Sequence, residues 1–176
     1  AQGYERDGEI LLRMGNTTAA EKSVRAALAL QAGLAKSLPD RVEVQRELAA
    51  VYARLGEVDY DRADMSGAMK AYRDGLAVLD AVLAKDSLSA GARADAAMAH
   101  GRIGFVLLRT GDTSGALKET RQCNELCRDL AKADPGSAKV RRMLALSHEY
   151  LGDALLANGR TEEALREYNA AGEILK

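Results

Sequence analysis

Two cysteines and two histidines carry the most reactive side chains of this sequence. Cys123 and Cys127 stand four residues apart, one turn if the segment is helical, and His100 and His148 lie 48 residues from each other. Thiolates and imidazoles are the ligand set of zinc. The same residues can also be plain packing groups, since a buried free cysteine behaves as a small hydrophobe. Two cysteines do not make a disulfide framework, and a reducing compartment is the simpler setting. No nucleophile with a positioned base is evident. There is no Gly-rich phosphate loop, HExxH, GxSxG or kinase signature. Nothing in these patterns points to an enzyme, a cofactor or a metal, so the decision falls to the elements that place the residues.

Those elements repeat. Gly8, Gly56, Gly104 and Gly152 are spaced 48 residues apart, as are Ala20, Ala68, Ala116 and Ala164. Pro39, Ser87 and Pro135 keep the same step, and so do Gly15, Gly111 and Gly159, with Ala63 in the fourth place. A further column reads Tyr4, Tyr52, His100 and His148. The two histidines therefore stand where tyrosines stand elsewhere, which favours an interhelix packing role with one satisfied nitrogen. Repeats of this length signal stacked supersecondary units.

Within each unit the apolar spacing is helical. Leu48, Val51, Tyr52, Leu55 and Val58 follow the three-and-four step of one helix face, and Ala68, Tyr72, Leu76, Leu79 and Leu83 do so after the turn. Each unit reads as two antiparallel helices. Gly15, Gly111 and Gly159 fit the left-handed residue that ends a helix. Thr17, Thr113 and Thr161 follow as caps of the next one, and Thr18 with Glu21 offers a capping box. Pro39 and Pro135 break the chain between units, with Asp40, Ser89 and Ser137 available to start the following helix. Mid-helix glycine costs about 1 kcal/mol against alanine. Close approach of two helix backbones, with only the alanine column opposite, would offset that cost. Gly101 and Gly104 lie inside such a helix and read as packing.

The totals agree with an all-helical array. Of 176 residues, 47% are apolar but only 4% aromatic, with no Trp and two Pro. Such a core suits close-packed helices. With 25 basic and 26 acidic residues, the net charge of −1 gives no general pull toward nucleic acid or anionic lipid. No apolar run is long enough to span a membrane, and no signal-peptide pattern stands at the start. A cytoplasmic location is expected.

The pattern resembles the tetratricopeptide repeat. The last unit carries His148, Leu151-Gly152, Leu155, Gly159, Ala164, Tyr168 and Ala171; the second carries Tyr52, Leu55-Gly56, Ala68, Tyr72 and Gly75. The second unit departs most, with Asp59 where Leu or Tyr is usual and Ala63 at the turn glycine. Cys123 falls on the family's small-residue packing column. The resemblance implies a superhelical solenoid of four antiparallel helix pairs over residues 1–176, with repeats of about 1–40, 41–88, 89–136 and 137–176. The family's usual unit is 34 residues; the 14 extra residues here add about two turns to each helix and keep the stripe in phase. This long form is similar to repeats behind bacterial serine/threonine kinase domains, and it implies a regulatory or docking segment of a larger signalling protein. Both ends of the sequence cut through predicted helices, so a fragment is expected.

In the family, the first helix of each pair lines a concave groove that binds protein or peptide. Carried over, that groove holds Arg6, Glu9, Arg13, Arg54, Glu57, Tyr60, Arg102, Phe105, Arg109, Tyr150 and Asp153. Arg6, Arg54 and Arg102 form a row, and acids stand three residues on at Glu9 and Glu57, close enough for helix-surface pairs. A solvated, salt-bridged face is the plain reading of those charges. A groove with Tyr60, Phe105 and Tyr150 as apolar anchors is the functional one. The family's carboxylate clamp uses Asn where this chain has Glu9, Glu57, Phe105 and Asp153, so a mixed-charge peptide, helix or folded partner is expected rather than a chain terminus. The alternative is a structural array that self-associates, as a homodimer, through uncapped end helices at Leu165 and Tyr168.

Overall fold

Apolar residues at three-and-four spacing, punctuated by left-handed turns, give eight α-helices and no strand among the described residues of the computed structural model. It describes residues 2–176, apart from the side chains at positions 2, 4–6, 8 and 9. The helices are α1 (Gln2–Arg13), α2 (Thr17–Ser37), α3 (Val42–Asp61), α4 (Met65–Lys85), α5 (Ala90–Thr110), α6 (Thr113–Ala133), α7 (Ala138–Ala157) and α8 (Thr161–Ile174). They form antiparallel pairs joined by short turns. Helices α2 to α7 have 20 or 21 residues each, as the long repeat predicts. The chain divides into two compact units, one ending at Asp95 and the other beginning at Ala96, a boundary that falls inside α5.

All four turns within pairs share one geometry. Gly15, Gly111 and Gly159 take φ of 74°, 87° and 75°, and Ala63 takes 61°. Asn16, Asp64, Asp112 and Arg160 donate their backbone N–H to the carbonyls of Leu11, Asp59, Leu107 and Leu155 at 2.8–2.9 Å. The preceding residue donates to the carbonyl one step further on. This is the Schellman motif four times over. The repeat of residues 41–88, which departs most in sequence, keeps the turn and accepts a left-handed alanine.

The helix starts differ from expectation. The capping side chains are Asn16, Asp64 and Asp112, accepting from the N–H of Ala19, Gly67 and Gly115. Thr17, Thr113 and Thr161 are instead the first helical residues. An Asn or Asp directly after the left-handed residue serves both ends of the turn, and its side-chain oxygen outcompetes a threonine hydroxyl one position later. Glu21 forms no capping box; it pairs with Arg25 at 2.9 Å and with Arg62. Ser137 caps α7 as expected, accepting from Val140. Asp40 does not cap α3, because it pairs with Lys85 at 2.8 Å.

The recurring glycines also have a different neighbour from the one expected. A Cβ at Gly56 would lie 2.4 Å from the Tyr72 ring, and one at Gly152 would lie 2.6 Å from the Tyr168 ring. The space is kept for the aromatic of the second helix, four residues beyond the alanine column. At Gly104 the neighbour is the methyl of Thr120, at 2.7 Å, and there the Ala116 carbonyl comes to 3.4 Å. Gly8 lies outside the described side chains.

The first unit buries Ala20, Val24 and Ala27 of α2 against Val51, Leu55 and Val58 of α3 and Ala71 of α4. Gln31 reaches from α2 to the Val44 carbonyl and Glu47. Asp59 sits 2% exposed in the column that holds Leu11, Leu107 and Leu155, and its Oδ1 has no hydrogen-bond partner among the described residues. Burial pushes its carboxyl above the usual value; the Arg25 charge opposes this and Asp64 adds to it. The second unit packs Leu151, Leu155 and Ala164 with Leu117 and Tyr168 against them.

Candidate interaction surface

The fold settles the reactive residues first. Cys123 and Cys127 are fully buried free thiols on one face of α6. Their mutual hydrogen bond and burial push the Cys123 thiol up, and Cys127 is tied to Ser147 of α7. Asn124 donates to the same Ser147 oxygen at 3.1 Å. These groups hold α6 to α7, as the small-residue column implies. His100 Nδ1 meets Glu119 at 2.7 Å, and His148 Nδ1 meets Glu167 at 2.6 Å. The offset of 19 residues is the same in both, so one interhelix bond is built twice. Its glutamates were not singled out in the sequence, although Glu119 and Glu167 are themselves 48 residues apart. Among the described residues, no group of three or more His, Cys, Asp or Glu is placed to hold a metal ion.

The proposed groove residues are best taken unit by unit. In the first unit, Arg6 and Glu9 lie outside the described side chains. Arg13 is exposed near the end of α1, while Arg54, Glu57 and Tyr60 are half-buried on α3. All four of the latter make interactions within the molecule, so this face is at least partly self-engaged.

In the second unit, Gly101 on α5 opens a site that the sequence did not foretell. A Cβ there would lie 2.7 Å from the Tyr150 ring and 3.3 Å from Cys123 Sγ, so the missing side chain lets Tyr150 of α7 lie against the α5 backbone. Tyr150 is half-buried; burial raises its hydroxyl pKa, against the pull of the Arg102 charge. One turn along α5, Phe105 is 38% exposed, with Arg102 half-buried before it and Arg109 exposed after it. Arg102 and Phe105 also make interactions of their own. Asp153 accepts from Tyr168 Oη at 2.7 Å. Burial, then this bond, pushes the Tyr168 pKa up to about 12. Asp153 is thus committed to its own pair, while Arg102, Phe105 and Arg109 follow one another on one face of α5 and Tyr150 of α7 lies against Gly101 of the same helix. Those are the side-chain types that anchor protein interfaces.

Comparison with known proteins agrees with this architecture. Residues 7–71 match the family model described as tetratricopeptide repeat. Its structure is similar to the crystal structure of BtubC (BKLC) from P. vanneervenii, with a TM-score of 0.76 at 16% identity. That alignment covers 97% of this chain and 61% of BtubC, so the chain spans less than two thirds of that protein's length. A crystal structure of MamA aligns over 98% of this chain and 90% of its own at 16% identity, with a TM-score of only 0.44. No curated protein matches. Among the described residues, no helix is long and apolar enough to cross a membrane.

Proposed function

We propose that the protein is an interaction scaffold that holds a mixed-charge peptide, helix or folded partner against the first helices of its pairs. Arg102, Phe105, Arg109 and Tyr150 supply the contact in the second unit. Arg13, Arg54, Glu57 and Tyr60 supply it in the first. The observation that carries the reading is Phe105, an exposed aromatic flanked by arginines in a chain with a single phenylalanine. The long repeat supports a reading in which such a scaffold belongs to the regulatory region of a bacterial signalling kinase; a kinase domain in the same open reading frame is the test of that context. For the surface itself, the test is a pull-down in which wild-type protein is compared with Arg54→Glu/Arg102→Glu. The double reversal is expected to abolish capture of any bound protein and leave helix content unchanged. Equal capture by both would refute the assignment.

A second reading is self-association through the end helices. Leu165 on α8 and Leu175 directly after it are each 59% exposed, which favours it. Sedimentation at rising concentration decides it.

A further inference from the structure

One carboxylate lies where leucines stand in the other three repeats. Asp59 shares its column with Leu11, Leu107 and Leu155, is 2% exposed, and has no hydrogen-bond partner for Oδ1 among the described residues. Its other oxygen lies beside a second acid in the corner between α3 and α4. A Cβ at Gly67 would lie 2.9 Å from Asp59 Oδ2 and 2.5 Å from Asp64 Oδ2, so the glycine leaves room for both carboxylates. Asp64 uses Oδ1 to cap α4, accepting from Gly67 N–H at 2.8 Å, which leaves Oδ2 for the corner. The third repeat is an internal control. It has the same cap and the same glycine, but the three atoms nearest a Cβ at Gly115 all belong to Asp112, because Leu107 stands in place of the second acid.

Two carboxylates at one corner repel each other, and the Asp64 charge adds to burial in raising the Asp59 pKa. The Arg25 charge opposes this, but Arg25 and Arg62 both bond to Glu21. A proton does not complete the corner. Shared between the two Oδ2 atoms, it would leave Asp59 Oδ1 unpaired; placed on Oδ1, it would find no acceptor. A cation held through both oxygens of Asp59 satisfies them together. In the fourth repeat the chain supplies such a cation itself. The columns of Asp64 and Gly67 there hold Arg160 and Glu163, and the guanidinium donates to both carboxylate oxygens at 2.6 Å. Among free ions, Ca²⁺ takes carboxylates through one or both oxygens in a flexible shell completed by carbonyls and water, whereas Mg²⁺ demands a strict octahedron.

We propose that Asp59 and Asp64 form a cation site at the α3–α4 turn, which takes a calcium-type ion through both oxygens of Asp59 and through Oδ2 of Asp64. Asp64 is exposed, so water completes the shell on its side. The ion ties the end of α3 to the start of α4 in the repeat that departs most from its mates.

The test is a titration of the chelator-treated chain with CaCl2 at neutral pH and constant ionic strength, followed by the amide NMR signals of Asp64 and Gly67 and by Tm. Wild type is expected to bind one ion with a Kd of about 1 mM or below, the weak end for oxygen sites. At about 10 mM CaCl2 its Tm should rise by about 3–6 °C. Asp59→Asn and Asp64→Asn should each weaken binding about tenfold or more. Asn is as good a helix cap as Asp, so Asp64→Asn keeps the turn and loses only the charge. Asp112→Asn makes the same change at the cap that lacks a second acid, and it should leave binding as in wild type. A wild type whose Asp64 and Gly67 signals ignore CaCl2 would overturn the site, with Asp59 then held as the neutral acid. Binding that survives Asp64→Asn, or that falls equally in Asp112→Asn, would overturn it as well.

Discussion

Ala63 holds φ at 61° in a turn whose other three copies are glycine. An L side chain in the left-handed region costs about 1–2 kcal/mol. A glycine at this position would remove that strain and give back about 0.4–1 kcal/mol through its freer unfolded chain. The balance is a gain of roughly 0.5–1 kcal/mol for Ala63→Gly. No contact needs to change. The two bonds that close the turn, from Ala63 N–H to Tyr60 O and from Asp64 N–H to Asp59 O, are backbone bonds of 2.8 Å. For a chain of this length the gain corresponds to a Tm rise of about 1–4 °C. Gly159→Ala is the mirror experiment. Its φ is 75° and a Cβ there would meet nothing within 4 Å, so its cost, about 1 kcal/mol, is backbone strain alone. Helical arrays open piecewise, so urea unfolding should be paired with hydrogen exchange of the α3 and α4 amides. If Ala63→Gly leaves those amides and the midpoint unmoved while Gly159→Ala lowers both, the strain assigned to Ala63 is wrong.

Three further perturbations follow from the packing. Asp59→Leu restores the residue type of its column and removes an orphaned acceptor, with an expected gain of about 1–3 kcal/mol at neutral pH. Its raised pKa means that the cost of the wild-type charge is present above the folded pKa and fades as pH falls through it toward 3.8. The stability gap between wild type and Asp59→Leu, read by urea midpoints, should therefore narrow on acidification; a gap that widens would refute the assignment. Gly152→Ala places a methyl 2.6 Å from the Tyr168 ring and should cost about 1–3 kcal/mol. Adding Tyr168→Ala should cost less in that background than in wild type, and simple additivity in the double-mutant cycle would speak against the clash. Asp112→Ala removes the acceptor for Gly115 N–H at 2.8 Å and should lower stability by about 1 kcal/mol, whereas Thr113→Ala should change it little.

The period of 48 residues made the helices and their turns legible, because glycine and alanine columns report backbone geometry directly. The caps were misplaced by one residue, although the column Asn16, Asp64 and Asp112 contains better caps than the threonines beside it. What the sequence hid was the occupant of each glycine gap. A glycine says that something approaches closely; it does not say whether a backbone or a ring does. Tyr72 and Tyr168 supplied that answer. The surface was legible only as a set of positions. That Asp153 is taken by Tyr168, and that Gly101 admits Tyr150, depends on side chains meeting across helices. Spacing along one helix carries no such information.

The matched lengths of the inner helices restrict how such a chain can change size. A single residue inserted within α4 would swing everything beyond it by about 100° and turn its buried stripe toward water. Seven residues make nearly two whole turns, so additions of that size preserve facing, provided the antiparallel mate grows as well. Evolution of this architecture should consequently proceed by paired, turn-sized increments, with lone insertions confined to the linkers around Pro39, Ser87 and Pro135.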